Sequence, residues 1–148
     1  MSSILAKDRK PLDDKLQAAV LIEEVTKELS RIVYNDKKVP KRRQQIGIKI
    51  LENVIEAYEY TRAANLLGFN TKAERSHRKT YQFNAEKAMN SVVSDLKLLP
   101  MIAPTVKNNW TWYVKIVEKA TEAALCVSAW RKSDEKRIDD IENIKGKT

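Results

Sequence analysis

The sequence predicts an all-α fold, an antiparallel up-down-up-down four-helix bundle. Apolar residues recur at spacings of three and four along four long segments, which is the period of one helix face. The chain has only 3 glycines and 4 prolines, and most of them fall between these segments, where they separate one helix from the next. No segment shows the two-residue alternation of a half-buried strand. Four long helices with short links favour a bundle.

The first two helices are predicted over about residues 12 to 35 and 41 to 67. The first follows Pro11, and Asp13 and Asp14 lie in its opening turn, where negative charge complements the helix dipole. Its apolar face consists of Ala18, Ile22, Val25, Leu29 and Ile32. The second helix has a wider apolar face, which predicts more than one packing neighbour: Ile46, Ile50, Val54, Ala57 and Tyr58, flanked by Ile48, Leu51 and Ile55.

The third helix is predicted over roughly residues 71 to 99, with Thr71 as its N-cap and Pro100 as its stop. Its buried face is predicted to be Tyr81, Ala85, Ala88, Val92, Leu96 and Leu99. The fourth helix is predicted to begin near Thr105. Its apolar residues are spaced alternately four and three positions apart, which is typical of the seam of a helical bundle. This seam consists of Val106, Trp110, Tyr113, Val117, Ala120, Ala124 and Val127.

Two tryptophans lie off this seam. Trp112 and Trp130 either face a partner subunit or pack into a groove of the same chain.

The length of 148 residues indicates one domain. We expect an N-terminal extension over residues 1–11, the bundle over 12–132 and a charged tail over 133–148. The tail contains Ile138, Ile141 and Ile144 at a spacing of three, so it either extends the fourth helix or is frayed.

The charge of the chain points to an anionic partner. Lysine and arginine number 28 against 20 acidic residues, a formal net charge of +8. Two basic clusters occur, over residues 37–49 and 72–79, and in an antiparallel hairpin they would lie near opposite ends of the second helix. A solvated polar face is the ordinary alternative. The candidate phosphate-binding residues are Lys37, Lys38, Lys41, Arg42, Arg43, Lys49, Arg75, Arg78 and Lys79.

Several function classes are disfavoured. His77 is the only histidine and Cys126 the only cysteine, so a metal site built from several His or Cys ligands is excluded, and Ser-His or Cys-His catalysis would have to rest on that single imidazole. No glycine-rich phosphate loop occurs, and we therefore expect no catalytic residue, no cofactor and no metal. No apolar run suits a signal peptide or a spanning helix, so we expect a soluble, cytoplasmic protein without a membrane partner.

Three short motifs carry a family resemblance: "VPKRRQQIGIKI" leading into the second helix, "DLKLL" closing the third, and "SAWRKS" near the end of the fourth. In this order they resemble the four-helix-bundle family that includes the accessory variability determinants (Avd) of diversity-generating retroelements. Relatives in that family are encoded within intervening sequences of bacterial large-subunit ribosomal RNA genes. The matching positions, which look mainly structural, are Pro40, Lys41, Gly47, the run from Asp95 to Leu99, and Trp130.

The resemblance implies a basic bundle that assembles as a homopentameric ring. Such a protein binds a reverse transcriptase and contacts RNA or DNA during mutagenic reverse transcription, without catalytic activity of its own. Two alternatives stay open: a ribosomal RNA intervening-sequence protein, and a structural oligomeric bundle whose charge only keeps it soluble.

Overall fold

The computed structural model describes residues 14–35, 39, 44–102 and 110–146. It contains four helices: α1 (Asp14–Val33), α2 (Gln44–Asn65), α3 (Lys72–Ile102) and α4 (Trp110–Gly146). Each helix packs against its neighbours in the sequence, and α1 also packs against α4, so the four helices enclose one core. This part of the chain contains no strand. The all-α class and the four-helix bundle are therefore confirmed, and none of these helices has the length and apolarity to span a membrane.

The core is built from the helix faces that the sequence periodicity predicts. All five predicted positions of α1 are buried, as are the central positions of α2 and all of the α3 face except half-buried Tyr81. The seam of α4 is buried at Tyr113, Ala120, Ala124 and Val127, whereas Val117 is only half-buried. Val106 and the side chain of Trp110 lie outside the described parts. Cys126 is half-buried against this core rather than fully enclosed.

A close approach between α1 and α2 accounts for Gly47 inside a helix. A β-carbon at this position would lie 3.1 Å from Cγ1 and 3.2 Å from Cγ2 of Val33, tighter than ordinary van der Waals contact. Glycine ordinarily weakens a helix interior, by about 1 kcal/mol relative to alanine. Here the missing side chain lets the two helices approach closely, which agrees with the structural role expected for Gly47.

Helix α3 begins as predicted but does not end as predicted. The Thr71 hydroxyl accepts a hydrogen bond of 3.0 Å from the Glu74 amide, which makes Thr71 the N-cap. The prediction that Pro100 stops the helix is wrong, because α3 continues through Pro100 to Ile102.

Helix α4 extends the bundle beyond the predicted boundary at residue 132. It runs without a break to Gly146, and both Asp134 and Ile138 are buried. Ile141 is half-buried and Ile144 is exposed, so only the outer part of this segment behaves as a solvated tail. Trp130 is also buried, at 2 % exposure, and therefore packs within its own chain instead of facing a partner subunit. Trp112 is half-buried against the core.

Contacts between α3 and α4 show that these two helices run antiparallel. Arg75 and Arg78, near the start of α3, meet Glu142 and Asp134, near the end of α4. Leu96, near the end of α3, meets Tyr113 at the start of α4.

Candidate nucleic-acid interface

The predicted phosphate-binding residues fall into three groups. Lys37, Lys38, Lys41, Arg42 and Arg43 lie outside the described residues. Lys49 and Lys79 are exposed. Arg75 and Arg78 are buried, each only 4 % exposed. Among the described residues of the two clusters, Lys49 lies near the start of α2, and Arg78 contacts Ala64 near its end.

Arg78 holds the end of α2 to α4. Its Nε donates a hydrogen bond of 2.7 Å to Oδ2 of Asp134, and its Nη1 donates to the carbonyl oxygens of Ala64 at 3.0 Å and Leu67 at 2.7 Å. These carbonyls belong to the last turn of α2 and the residues after it, where helix carbonyls have no partner within the helix. The guanidinium also lies 4.5 Å from the ring centroid of Phe69.

Gln82 and Arg75 extend this buried polar network along α3. Gln82, which is fully buried, donates a hydrogen bond of 2.7 Å from Nε2 to the same Asp134 oxygen. Arg75 donates from Nη1 to the carbonyl oxygen of Phe69 at 2.8 Å and forms an ion pair of 3.5 Å with Glu142. Both arginines therefore fix the connection between α2 and α3 against the end of α4, and we remove them from the set of proposed phosphate contacts.

The sequence contains a partial signal for this network. Asp134 and Ile138 follow Trp130 at a spacing of four, which continues a helix face beyond the predicted boundary. The partners of Arg78 and Arg75, however, lie 56 and 67 residues away along the chain, and local charge counting cannot detect such pairs.

The structure identifies a basic surface that begins in the predicted cluster of residues 72–79 and continues beyond it along α3. We call it the α3 outer face and define it by eight residues with spacings of three and four on one side of the helix: Lys72, Ser76, Lys79, Phe83, Lys87, Asn90, Ser94 and Lys97. All eight are exposed. None of the four lysines forms an ion pair with a described residue.

The acidic residues of α3 are less exposed than its lysines. Glu74, Glu86 and Asp95 are each half-buried, so α3 has no exposed acid. The other three helices each expose at least two acids, such as Glu23 and Glu24 on α1 or Glu118 and Glu122 on α4. The α3 outer face is thus the one helix surface in the described residues where exposed positive charge is not interspersed with exposed negative charge.

Glu86 on α3 is paired with Arg131 on α4. Arg131 donates a hydrogen bond of 2.6 Å from Nε to Glu86 and another of 3.0 Å from Nη1 to Glu135. The hydrogen bond to Glu86, assisted by the attraction of both carboxylates, raises the pKa of Arg131 above its ordinary value even though burial opposes this shift. One guanidinium is thus shared between two carboxylates, and it compensates part of the negative charge beside the α3 lysines.

An open groove between α2 and α3 runs beside the outer face, with a volume of about 550 Å³. Lys49 and Asn53 come from α2, and Phe83, Lys87, Asn90 and Ser94 come from α3. Glu86 lines its wall, and Asp95 lies at one end and would repel a phosphate placed there. The groove joins Lys49, a predicted residue, to the α3 lysines, and it offers amide and hydroxyl groups between the charges.

The exposed positive charge of this arrangement is complementary to an extended polyanion. His77, the single imidazole, is exposed at the start of α3. In the described residues, no three His, Cys, Asp or Glu side chains are grouped so that they could hold a metal ion.

Comparison with known proteins adds no relative. No protein-family model matches the chain, and neither the curated proteins nor the solved structures yield a significant match.

Proposed function

We propose that this protein is a non-catalytic nucleic-acid-binding bundle, and that it serves as an accessory factor of a diversity-generating retroelement. The observation that supports binding is the α3 outer face, with four exposed lysines, no exposed acid and no ion pair to a described residue. Ion-pairing with phosphates releases condensed counterions, which is the main source of sequence-independent affinity for nucleic acid.

The length of the α3 outer face suits an extended nucleic-acid backbone. Lys72 and Lys97 are 25 residues apart, which corresponds to about 37 Å along a helix at 1.5 Å per residue. One turn of duplex DNA is about 34 to 36 Å long. The lysines offer point charges without the bidentate geometry that reads base edges, so recognition depends on backbone charge rather than sequence.

The accessory assignment rests on the family resemblance of the sequence motifs, and three finer features come with it. The bundle would have up-down-up-down topology, assemble as a homopentameric ring and bind a reverse transcriptase that copies template RNA into mutagenised cDNA. Light scattering should give a mass well above 17 kDa, and a monomer at micromolar concentration would exclude the ring.

Charge reversal tests the binding surface. Lys79→Glu with Lys87→Glu should weaken binding to unrelated RNA and DNA and flatten the slope of log K against log salt, by roughly one unit for each phosphate that is no longer bound. The matched control is Lys115→Glu with Lys132→Glu, two exposed positions on α4 with the same change in net charge. Equal losses in both double variants would show that only net charge matters, and circular dichroism should confirm that both variants keep the helical fold.

The gene neighbourhood distinguishes the biological settings. A reverse-transcriptase gene and a template repeat beside this gene would support the retroelement assignment. An open reading frame inside a ribosomal RNA gene would favour the intervening-sequence alternative, and failure of the protein to bind any nucleic acid would leave the structural bundle.

A further inference from the structure

Phe83 is an aromatic side chain exposed in the middle of the α3 outer face. Its side chain is 57 % exposed, and Lys79 and Lys87 lie four residues before and after it, so all three share one side of the helix. Phe83 also borders two grooves. One is the groove between α2 and α3, and the other is lined by Lys79 and Thr80 of α3 and by Arg131 and Glu135 of α4.

A single exposed apolar residue is ordinary on a protein surface and needs no explanation by itself. The position of Phe83 separates it from the other exposed apolar residues. Tyr34, the other exposed aromatic residue in the described part of the chain, lies after α1. Leu98 and Met101 are exposed on α3 but are not aromatic. Phe83 is the exposed aromatic residue of the α3 outer face, and it presents a flat π surface between two cations that have no ion pair with a described residue.

We propose that the α3 outer face binds single-stranded nucleic acid, with an unpaired base stacked on Phe83 and the flanking phosphates held by Lys79 and Lys87. This inference rests on the proposed function and adds that the bound nucleic acid is single-stranded. Proteins that bind single strands without sequence preference combine a positively charged groove with aromatic rings on which bases stack. Each Lys-to-Phe step of four residues is about 6 Å along the helix, so long lysine side chains can reach phosphates on either side of a stacked base.

A duplex does not use this surface fully. Its bases stack on one another, and a side chain reaches a base face only after a base is unstacked, at a cost of a few kcal/mol. An unpaired strand presents base faces without that cost. Asn53, Asn90 and Ser94 line the adjacent groove and offer hydrogen-bond donors and acceptors to sugar and base edges. A duplex should therefore contact the lysines alone.

The test compares a labelled oligouridine strand with a labelled blunt-ended RNA duplex by fluorescence anisotropy, at fixed salt. Phe83→Ala should weaken binding of the single strand by roughly 5- to 150-fold, the loss of one stacked base, and should change duplex binding less than about twofold. Phe83→Trp should restore single-strand binding. Ile144→Ala, an exposed apolar truncation on α4, is the control and should alter neither affinity.

The outcomes separate this inference from the proposed function. Unchanged single-strand affinity in Phe83→Ala, with salt-sensitive binding intact, would overturn the stacking inference and leave the basic surface as the binding site. Equal losses for strand and duplex would also overturn it, because the effect would then not depend on an unpaired base. Absence of binding by the unmodified protein to either probe would overturn both.

Discussion

The hydroxyl of Tyr113 on α4 donates a hydrogen bond of 2.9 Å to the main-chain carbonyl oxygen of Leu96 on α3. Within an α-helix this carbonyl would accept from the amide of residue 100, but Pro100 has no N–H to donate. Tyr113 therefore supplies the donor that the proline removes. The neighbouring helix thus satisfies a carbonyl that Pro100 leaves without its helical partner, and α3 continues to Ile102.

Tyr113→Phe should lower the free energy of unfolding at pH 7 by about 1 to 3 kcal/mol, because the buried Leu96 carbonyl loses its donor. Urea denaturation measures this loss. Tyr34→Phe, at a position 60 % exposed, is the control and should change little. Equal effects in the two variants would show that the hydroxyl of Tyr113 does not support the helix at Pro100.

Burial raises the pKa of the Tyr113 hydroxyl above its ordinary value. The stability that depends on the protonated Tyr113 hydroxyl therefore changes with pH. A raised folded-state pKa means that the native protein holds the proton more tightly than the unfolded chain. The resulting stability is present in full below the unfolded pKa of about 10 and is lost as pH rises through the folded pKa. The stability difference between the unmodified protein and Tyr113→Phe should therefore shrink as the pH rises above about 10. A constant difference would contradict this.

Arg78→Leu should destabilise the bundle by about 3 to 5 kcal/mol, since Asp134 is left as an uncompensated buried charge. Lys79→Leu, the exposed neighbour on the same helix, should change stability by less than about 0.5 kcal/mol. The double variant Arg78→Leu with Asp134→Leu should recover part of the loss, because no unpaired charge remains. Similar stability of the two single variants would restore Arg78 to the phosphate-binding set.

Ile138→Ala should cost about 2 to 5 kcal/mol, because this side chain is fully buried and its truncation leaves a cavity. Ile144→Ala provides the matched control at a position 67 % exposed and should be nearly neutral. Chemical denaturation of the two variants decides whether residues beyond 132 belong to the bundle. A neutral Ile138→Ala would support the tail that the charged sequence suggested.

Arg42→Glu with Arg43→Glu should weaken binding to RNA and DNA alike and flatten the salt slope by roughly one unit for each phosphate released from the surface. Both residues belong to the acid-free cluster of residues 37–49, which also contains Lys49 of the α2–α3 groove. Anisotropy titrations at several salt concentrations measure the effect, with Lys115→Glu and Lys132→Glu as the control for net charge. Unchanged affinity would indicate that this cluster is a solvated polar face that does not bind nucleic acid.

Local periodicity was sufficient to predict the core, as the burial of Ala18, Ile22 and Val25 shows, because one helix face depends only on residues a few positions apart. It was insufficient wherever a distant residue changes the local outcome. From the sequence alone Pro100 is expected to end the helix, whereas in the structure Tyr113 supplies the hydrogen-bond donor that the proline lacks. From the sequence alone Arg78 is expected to be a free cation, whereas in the structure it forms an ion pair with Asp134.

The predicted site shows the same limit. Charge clustering along the sequence identified Lys49 and Lys79, but it could not show that the acids of α3 are half-buried. Trp130 lies off the predicted seam because the buried face of α4 departs from the strict spacing after Val127 and continues through Trp130, Asp134 and Ile138.

Lysine footprinting is the decisive test of the α3 outer face, because it maps where nucleic acid binds on the unmodified protein. The protein is acetylated with and without a single-stranded RNA, and the extent of modification at each lysine is measured by mass spectrometry. We expect protection of Lys49, Lys79, Lys87 and Lys97, with Lys115, Lys132 and Lys136 of α4 modified equally in both samples. Protection confined to the α4 lysines, or uniform protection of all exposed lysines, would rule out a binding surface on α3.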